Sequence, residues 1–244
     1  MSTLVIDIGN SRVKWALADR NTLITAAVAV THNDVDQLFA SWQALSPVPT
    51  DIRLVSVIER AVVAEISVWA EQNWGLPINR VRTPAEGGGI QIAYPDPDQL
   101  GTDRWLAMVG TRAKGLLPAC IVDCGSAMTM DVVDDSGRHH GGMILPGLAA
   151  QQGGLAQIAP ALPAADLQQP APLLARNTAD AVAAGQLQGT AAAIEGLLAR
   201  FATDTGLDLP LILTGGDAER IQDYLQLPAP LLPELVLHGL AVLD

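Results

Sequence analysis

Asp7-Ile8-Gly9-Asn10-Ser11 closes an apolar run near the start of the chain, and Asp123-Cys124-Gly125-Ser126-Ala127 repeats its shape 116 residues later. Each time an apolar run (Leu4 to Ile8, Ile121 to Cys124) reaches a carboxylate and then a glycine. Small residues make the turn, and a second apolar run follows, Val13 to Ala18 or Met128 to Val133. Alternating strand residues broken by turn residues predict a strand–turn–strand unit. Its recurrence near half the chain length predicts an internally duplicated α/β protein.

Outward from the first unit, Leu23 to Val30 supplies a third strand. Asn33 caps a helix through Leu45, with Val35, Leu38, Phe39 and Trp42 at helical spacing, and Pro47 and Pro49 end it. Ile52 to Ile58 is β-rich, Glu59 to Trp74 is helical in period, and a short strand follows near Ile78 to Val81, giving the order βββαβα. Behind Gly87-Gly88-Gly89, a short run from Ile90 to Tyr94 and a loop from Pro95 to Gln99 lead into a helix over about Leu100 to Lys114. Outward from the second unit, the proline-bearing stretch 155–176 reads as a loop with short helical pieces. Asn177 or Thr178 caps a long alanine-rich helix to about Phe201. Leu209 to Leu213 forms a strand, Thr214-Gly215-Gly216-Asp217 a turn, and Asp217 to Leu225 a helix. The expected domains are 1–115 and 116–244, and the last twelve residues, mostly apolar, are expected to finish the core.

The chain has 244 residues, 49% hydrophobic and 16% charged, with a net charge of −12. Such a composition excludes a disordered chain. The charge argues against nucleic-acid binding, which needs a basic face, and only two lysines, Lys14 and Lys114, are present. The acidity is uneven: residues 1–115 carry 10 basic and 12 acidic residues, residues 116–244 carry 4 and 14. No apolar run approaches the roughly 18 residues of a membrane helix. The start lacks a basic segment typical of a secretory leader, and two cysteines, Cys120 and Cys124, fit a reducing cytoplasm rather than a disulfide scaffold.

Glycines at the ends of strands let backbone amides approach a ligand, and a nearby carboxylate can hold a cation that bridges to phosphate. Two Asp-x-Gly turns plus the Gly215-Gly216 turn therefore suit a nucleoside triphosphate. Neither a P-loop nor a Gly-x-Gly-x-x-Gly fingerprint is present. His139-His140 reads as a solvated hairpin loop. In Tyr94-Pro-Asp-Pro-Asp-Gln-Leu-Gly-Thr-Asp-Arg104, Asp103 and Arg104 open an apolar helix behind Gly101. A carboxylate there complements the helix dipole, but an arginine opposes it. The pair instead suits Asp103 taking a proton from a substrate hydroxyl while Arg104 pairs with substrate oxygens.

These motifs, with Gly141 to Gly147, Asn177-Thr178 and Leu213 to Asp217, resemble the type III pantothenate kinases of the acetate and sugar kinase/heat-shock/actin superfamily, almost end to end. The resemblance implies two actin-like (ribonuclease H-like) domains of βββαβα type with the active site in the cleft between them. The first carries one phosphate loop and the substrate motif, the second another phosphate loop and the adenosine turn. It further implies a cytoplasmic homodimer that uses ATP to phosphorylate pantothenate toward coenzyme A. Asp7, Ile8, Gly9, Asn10, Ser11, Arg12, Val13, Lys14 and Ser126 would bind ATP. Tyr94, Gly101, Thr102, Asp103, Arg104 and Thr178 would bind pantothenate, with Asp103 as base and Thr178 from either subunit. Asp123 would ligate a potassium or ammonium ion, and Asp7 would hold magnesium through water. Ser11 and Ser126 stand where the family often has threonine, each keeping its hydroxyl. Outside this reading stand another small-molecule kinase of the superfamily and a non-catalytic transcription accessory protein.

Overall fold

The computed structural model describes residues 2–57 and 61–243, which divide into two compact units: residues up to 116 together with 234–244, and residues 117–233. In the first, β1 (Ser2–Ile8) and β2 (Arg12–Asp19) form an antiparallel hairpin in unbroken register from Ser2↔Asp19 to Ile8↔Val13. The expected third strand is two pieces, β3 (Thr22–Leu23) and β4 (Val28–Thr31), both paired with β2. A single 3-10 turn, His32–Asp34, precedes α1 (Val35–Gln43), so that helix starts later than the sequence suggests. β5 (Asp51–Ser56) returns parallel to β1, and α2 (Ala61–Trp74) leads to β6 (Asn79–Arg80) beside β5. The cap expected of the Asn33 side chain, the strand end at Ile58 and the helix start at Glu59 lie outside the described residues. A small hairpin, β7 (Glu86–Gly87) with β8 (Ile90–Gln91), and a 3-10 turn at Pro97–Gln99 come before α3 (Thr102–Ala113).

Strand alternation sorts β1 into two faces. Leu4, Ile6 and Ile8 are sealed in a core with Leu38, Trp42, Val62, Ile66 and Ala70 of α1 and α2. Trp15 and Trp42 meet edge-on at 6.1 Å, and Phe39 stacks on Trp69 at 5.2 Å, giving that core its aromatic weight. Val5 and Asp7 fall on the other face.

The second unit repeats the plan. β9 (Ala119–Cys124) and β10 (Ala127–Val133) form a hairpin, β11 (His139–Pro146) extends it, and α4 (Leu148–Ile158) follows. Asn177 caps α5 (Thr178–Thr205) by accepting from the Asp180 N–H at 3.0 Å, and β12 (Leu211–Thr214) pairs parallel with β9 before α6 (Ala218–Gln222). Cys120, Val122 and Cys124 pack with Ala183, Leu187 and Ile194 of α5, while Asp123 lies on the opposite face.

The final helix, α7 (Leu235–Ala241), corrects the expected domain division. It packs in the first unit, against α3 and β1, instead of completing the second core. Leu235, Val236, Leu237, Leu240 and Ala241 are all buried. The close crossing needs two glycines: a methyl on Gly110 would stand 2.4 Å from the Leu235 carbonyl, and one on Gly239 would stand 2.1 Å from that of Leu106. Arg53 of β5 fixes the chain end by donating to the carbonyls of Leu240, at 3.1 Å, and Leu243. Apolar composition predicted burial of this segment; which core it joins is decided by surface complementarity between elements far apart in sequence.

Candidate active site

The first Asp-x-Gly turn is closed by the Gly9 N–H donating to the Arg12 carbonyl at 3.0 Å. The Gly9 carbonyl lies 3.0 Å from His32 Nε2. A carbonyl only accepts, so this nitrogen carries the proton. His32 Nδ1 is buried and finds no hydrogen-bond partner among the described residues. Asn10, Ser11 and Arg12 are exposed at the turn, whereas Ile8 and Val13 are fully buried and offer a ligand only their backbone. Asp7 stands in register with Lys14 across the hairpin. Sequence reasoning missed His32: it lies 23 residues from Gly9, and only the pairing of β4 with β2 brings it back.

The Tyr94 to Arg104 segment belongs to the same unit. Gly101 caps α3, and Asp103 folds back so that its Oδ1 accepts from the Arg104 N–H at 2.8 Å. A methyl on Gly101 would sit 2.6 Å from that oxygen. Arg104 is buried, 6% exposed, at the helix end where the dipole disfavours it. Its Nη1 donates to Tyr94 Oη at 3.2 Å, and its Cζ lies 5.8 Å from the Tyr94 ring centroid. A tyrosine ten residues upstream thus holds the guanidinium in place. Thr83 locks this corner further, donating to the Leu100 carbonyl at 2.9 Å and lying 3.1 Å from Thr102 Oγ1.

In the second unit the Gly125 N–H donates to the Ala127 carbonyl at 3.2 Å, and the Asp217 N–H donates to the Cys124 carbonyl at 2.9 Å. The latter contact joins the Gly215-Gly216 turn to the second Asp-x-Gly turn. Gly215 has φ +95°, and a methyl there would lie 2.3 Å from Asp123 Oδ1 and 2.6 Å from the Cys124 nitrogen. Gly147, just before α4, is as tight: its methyl would stand 2.1 Å from the Gly125 carbonyl. Ser126 is exposed beside these contacts. Thr178, the first residue of α5, is exposed as well.

Burial, reinforced by Asp131, pushes the Cys120 thiol up to about 12. Burial with Asp123 and Asp217 does the same for Cys124. Both thiols are therefore protonated packing groups, not nucleophiles. His139 departs from its expected solvated loop. It lies in β11, 1% exposed, with Nε2 3.0 Å from Asp131 Oδ1, because the strand continues further than the turn residues implied. The loop proper is Asp134–Arg138. Burial alone would raise the Asp134 carboxyl, but hydrogen bonds from Ser136, His140 and the Arg138 N–H bring it down to about 2.

Among the described residues no group of three or more His, Cys, Asp or Glu side chains forms a ready-made metal cage. Single carboxylates such as Asp7 and Asp123 fit cations that keep water or ligand oxygens in most positions.

Each unit holds an antiparallel hairpin with a parallel third strand and a carboxylate–glycine turn at the hairpin, an arrangement of the actin-like ATPase fold class. Solved structures agree on the fold. Component A of (R)-2-hydroxyglutaryl-CoA dehydratase from Acidaminococcus fermentans superposes with a TM-score of 0.58 at 14% identity, covering 99% of this chain and 95% of that one. The ADPNP-bound activator of 2-hydroxyisocaproyl-CoA dehydratase from Clostridium difficile gives 0.55 at 11%, covering 99% and 93%. Residues 3–200 match the family model for type III pantothenate kinase. Proteins of that description from Nitrosococcus oceani and Alkalilimnicola ehrlichii are each 35% identical, covering 98% of this chain and 92% and 96% of their own lengths. The chain belongs to the type III pantothenate kinase family.

Proposed function

We propose that this protein transfers the γ-phosphate of ATP to the primary hydroxyl of pantothenate, the first step of coenzyme A biosynthesis. The observation that carries the reading is the Gly101-to-Arg104 corner, built and braced by Tyr94 and Thr83, in a chain whose family is named for this activity. Asp103 is the base: its carboxylate sits at a helix N-terminus, oriented by the Arg104 N–H, ready to take the hydroxyl proton as the phosphoryl group moves in line. Gly101, Thr102, Arg104 and Tyr94 position the acceptor, with Thr178 joining them from either subunit of a homodimer. The turn from Asp7 to Lys14 and Ser126 bind the ATP phosphates. Magnesium would enter with the nucleotide, its waters held by Asp7. A potassium or ammonium ion at Asp123 would offset phosphate charge in a chain of net −12.

The test is pantothenate-dependent ADP release by wild type and Asp103→Asn in potassium and in sodium buffers. Loss of the base should lower kcat by roughly 10²- to 10⁴-fold with little change in the KM for ATP. Equal rates would remove Asp103 from the chemistry. Undiminished turnover in sodium alone would remove the monovalent cation from Asp123.

A further inference from the structure

Three consecutive glycines, Gly87-Gly88-Gly89, precede the acceptor segment, and the proposed site uses none of them. Gly88 and Gly89 form the two-residue turn of the β7–β8 hairpin, with φ +57° and +73°, the left-handed geometry that so tight a hairpin requires. That turn lies on α3. A methyl on Gly88 would stand 2.6 Å from Val109 Cγ2 and 2.8 Å from Val109 Cγ1. One on Gly87 would stand 3.3 Å from Trp105 Cζ2, and one on Gly89 would overlap Arg112 Nε. Trp105, Val109 and Arg112 are spaced i, i+4 and i+7, a single stripe along the helix.

Both ends of the hairpin return to the start of the same helix. On one side Thr83 donates to the Leu100 carbonyl and reaches Thr102 Oγ1; on the other, Tyr94 Oη accepts from Arg104 Nη1. Ile90, 1% exposed, anchors the returning strand, and the Ile92 N–H donates to the Ala85 carbonyl at 3.3 Å. Gly89 lies beside Arg112, two turns of helix beyond Arg104, where Tyr94 is held. The chain from Gly89 to Tyr94 therefore runs back along about 12 Å of helix, at roughly 1.5 Å per helical residue. The link from tip to tyrosine is short, with few bonds in which a shift could be absorbed.

We propose that this hairpin is a strap that sets the position of the acceptor-binding arginine: Gly88, seated on Val109, places Tyr94, and Tyr94 places the Arg104 guanidinium. Gly88 and Val109 are thus positioning residues that act through Tyr94. Glycine is required at the tip because a left-handed backbone and a buried valine beneath it both exclude a side chain. The kinetic effect rests on the pantothenate reading above, whereas the placement of Tyr94 is readable without turnover.

The chain has two tyrosines, Tyr94 and Tyr224, so fluorotyrosine labelling separates them by fluorine NMR, and the signal lost in Tyr94→Phe belongs to Tyr94. Gly88→Ala should shift that signal and leave the Tyr224 signal in place. Adding Val109→Ala, which clears the valine methyls from beneath the new side chain, should bring it back. In parallel, Gly88→Ala should raise the KM for pantothenate by roughly 3- to 10-fold, with kcat and the KM for ATP changed by less than about 2-fold. In a Tyr94→Phe background the same glycine change should add less than about 2-fold, because the link is already cut. An unmoved Tyr94 signal would overturn the strap. So would losses that multiply when Gly88→Ala and Tyr94→Phe are combined, or a fall in kcat alone, which partial unfolding produces. A wild type without pantothenate-dependent ADP release would refute the functional reading, and the fluorine signal would then decide the strap by itself. Should Gly88→Ala fold poorly, Arg112→Ala, which withdraws the side chain beside Gly89, carries the same test.

Discussion

The two Asp-x-Gly turns follow one strand plan but are secured by different means. In the first, a side chain does the work: His32 donates to the Gly9 carbonyl, and a methyl on Gly9 would meet nothing closer than the Arg12 carbonyl at 3.6 Å, an ordinary contact. In the second, backbone is packed on backbone. Gly147 and Gly215 stand so close to Gly125, Cys124 and Asp123 that no side chain fits. A glycine with room around it, as Gly9 has, is not required by close packing. A glycine wedged against another loop is needed by the fold first. The second turn is thus wedged between three loops, whereas the first is closed by its own Gly9-to-Arg12 backbone hydrogen bond and braced from outside by His32.

The sharpest way to break that comparison is to add one methyl group at each place. Gly147→Ala and Gly215→Ala should each cost about 2–4 kcal/mol of stability, since backbone must shift to admit the new atom. Gly9→Ala should leave stability within about 0.5 kcal/mol while raising the KM for ATP by roughly 10-fold or more. Denaturant unfolding and ATP titration on the three variants check this, and comparable destabilisation at Gly9 and Gly147 would erase the distinction.

A smaller effect is expected at His32. Replacing it with alanine removes one part-buried hydrogen bond and should cost about 1 kcal/mol, with a few-fold rise in the KM for ATP. His32→Gln keeps an N–H donor and should restore much of both. Failure of glutamine to rescue would mean that the ring's packing, rather than its donation to Gly9, holds the turn.

The smallest effect distinguishes the units by pH. Burial, with Lys114 nearby, lowers the pKa of His238 on α7. A histidine that binds its proton less well when folded gives stability that is complete above its unfolded pKa, about 6.5, and is lost as the pH falls below it. Asp134 works the same way at lower pH: with its carboxyl held at about 2, its contribution is present above the unfolded value of 3.8 and disappears on further acidification. Between pH 7 and 5 the His238 contribution weakens while that of Asp134 stays intact. His238→Gln should flatten the pH dependence of Tm across that interval; an unchanged slope would refute the assignment.

Much of the site was legible as local pattern. The Asp-x-Gly turns, the strands flanking them, the cap at Asn177 and the helix opening at Asp103 all depend on residues within a few positions of each other. The place of Arg104 against the helix dipole marked it as unusual, but its burial and its hydrogen bond to Tyr94 appear only in the folded corner. His139 misled because two histidines beside Ser136-Gly137 look like a turn, and its buried partner Asp131 is visible only when β10 and β11 pair.

The sequence by itself determined the kinds of local structure and the family, because helix period, strand alternation and turn chemistry act over a handful of residues. Tertiary structure alone decided that the apolar tail joins the first core, that His32 reaches Gly9 and that Gly147 presses on Gly125. Each of these depends on which surfaces exclude water together, and that is settled between segments tens to more than a hundred residues apart.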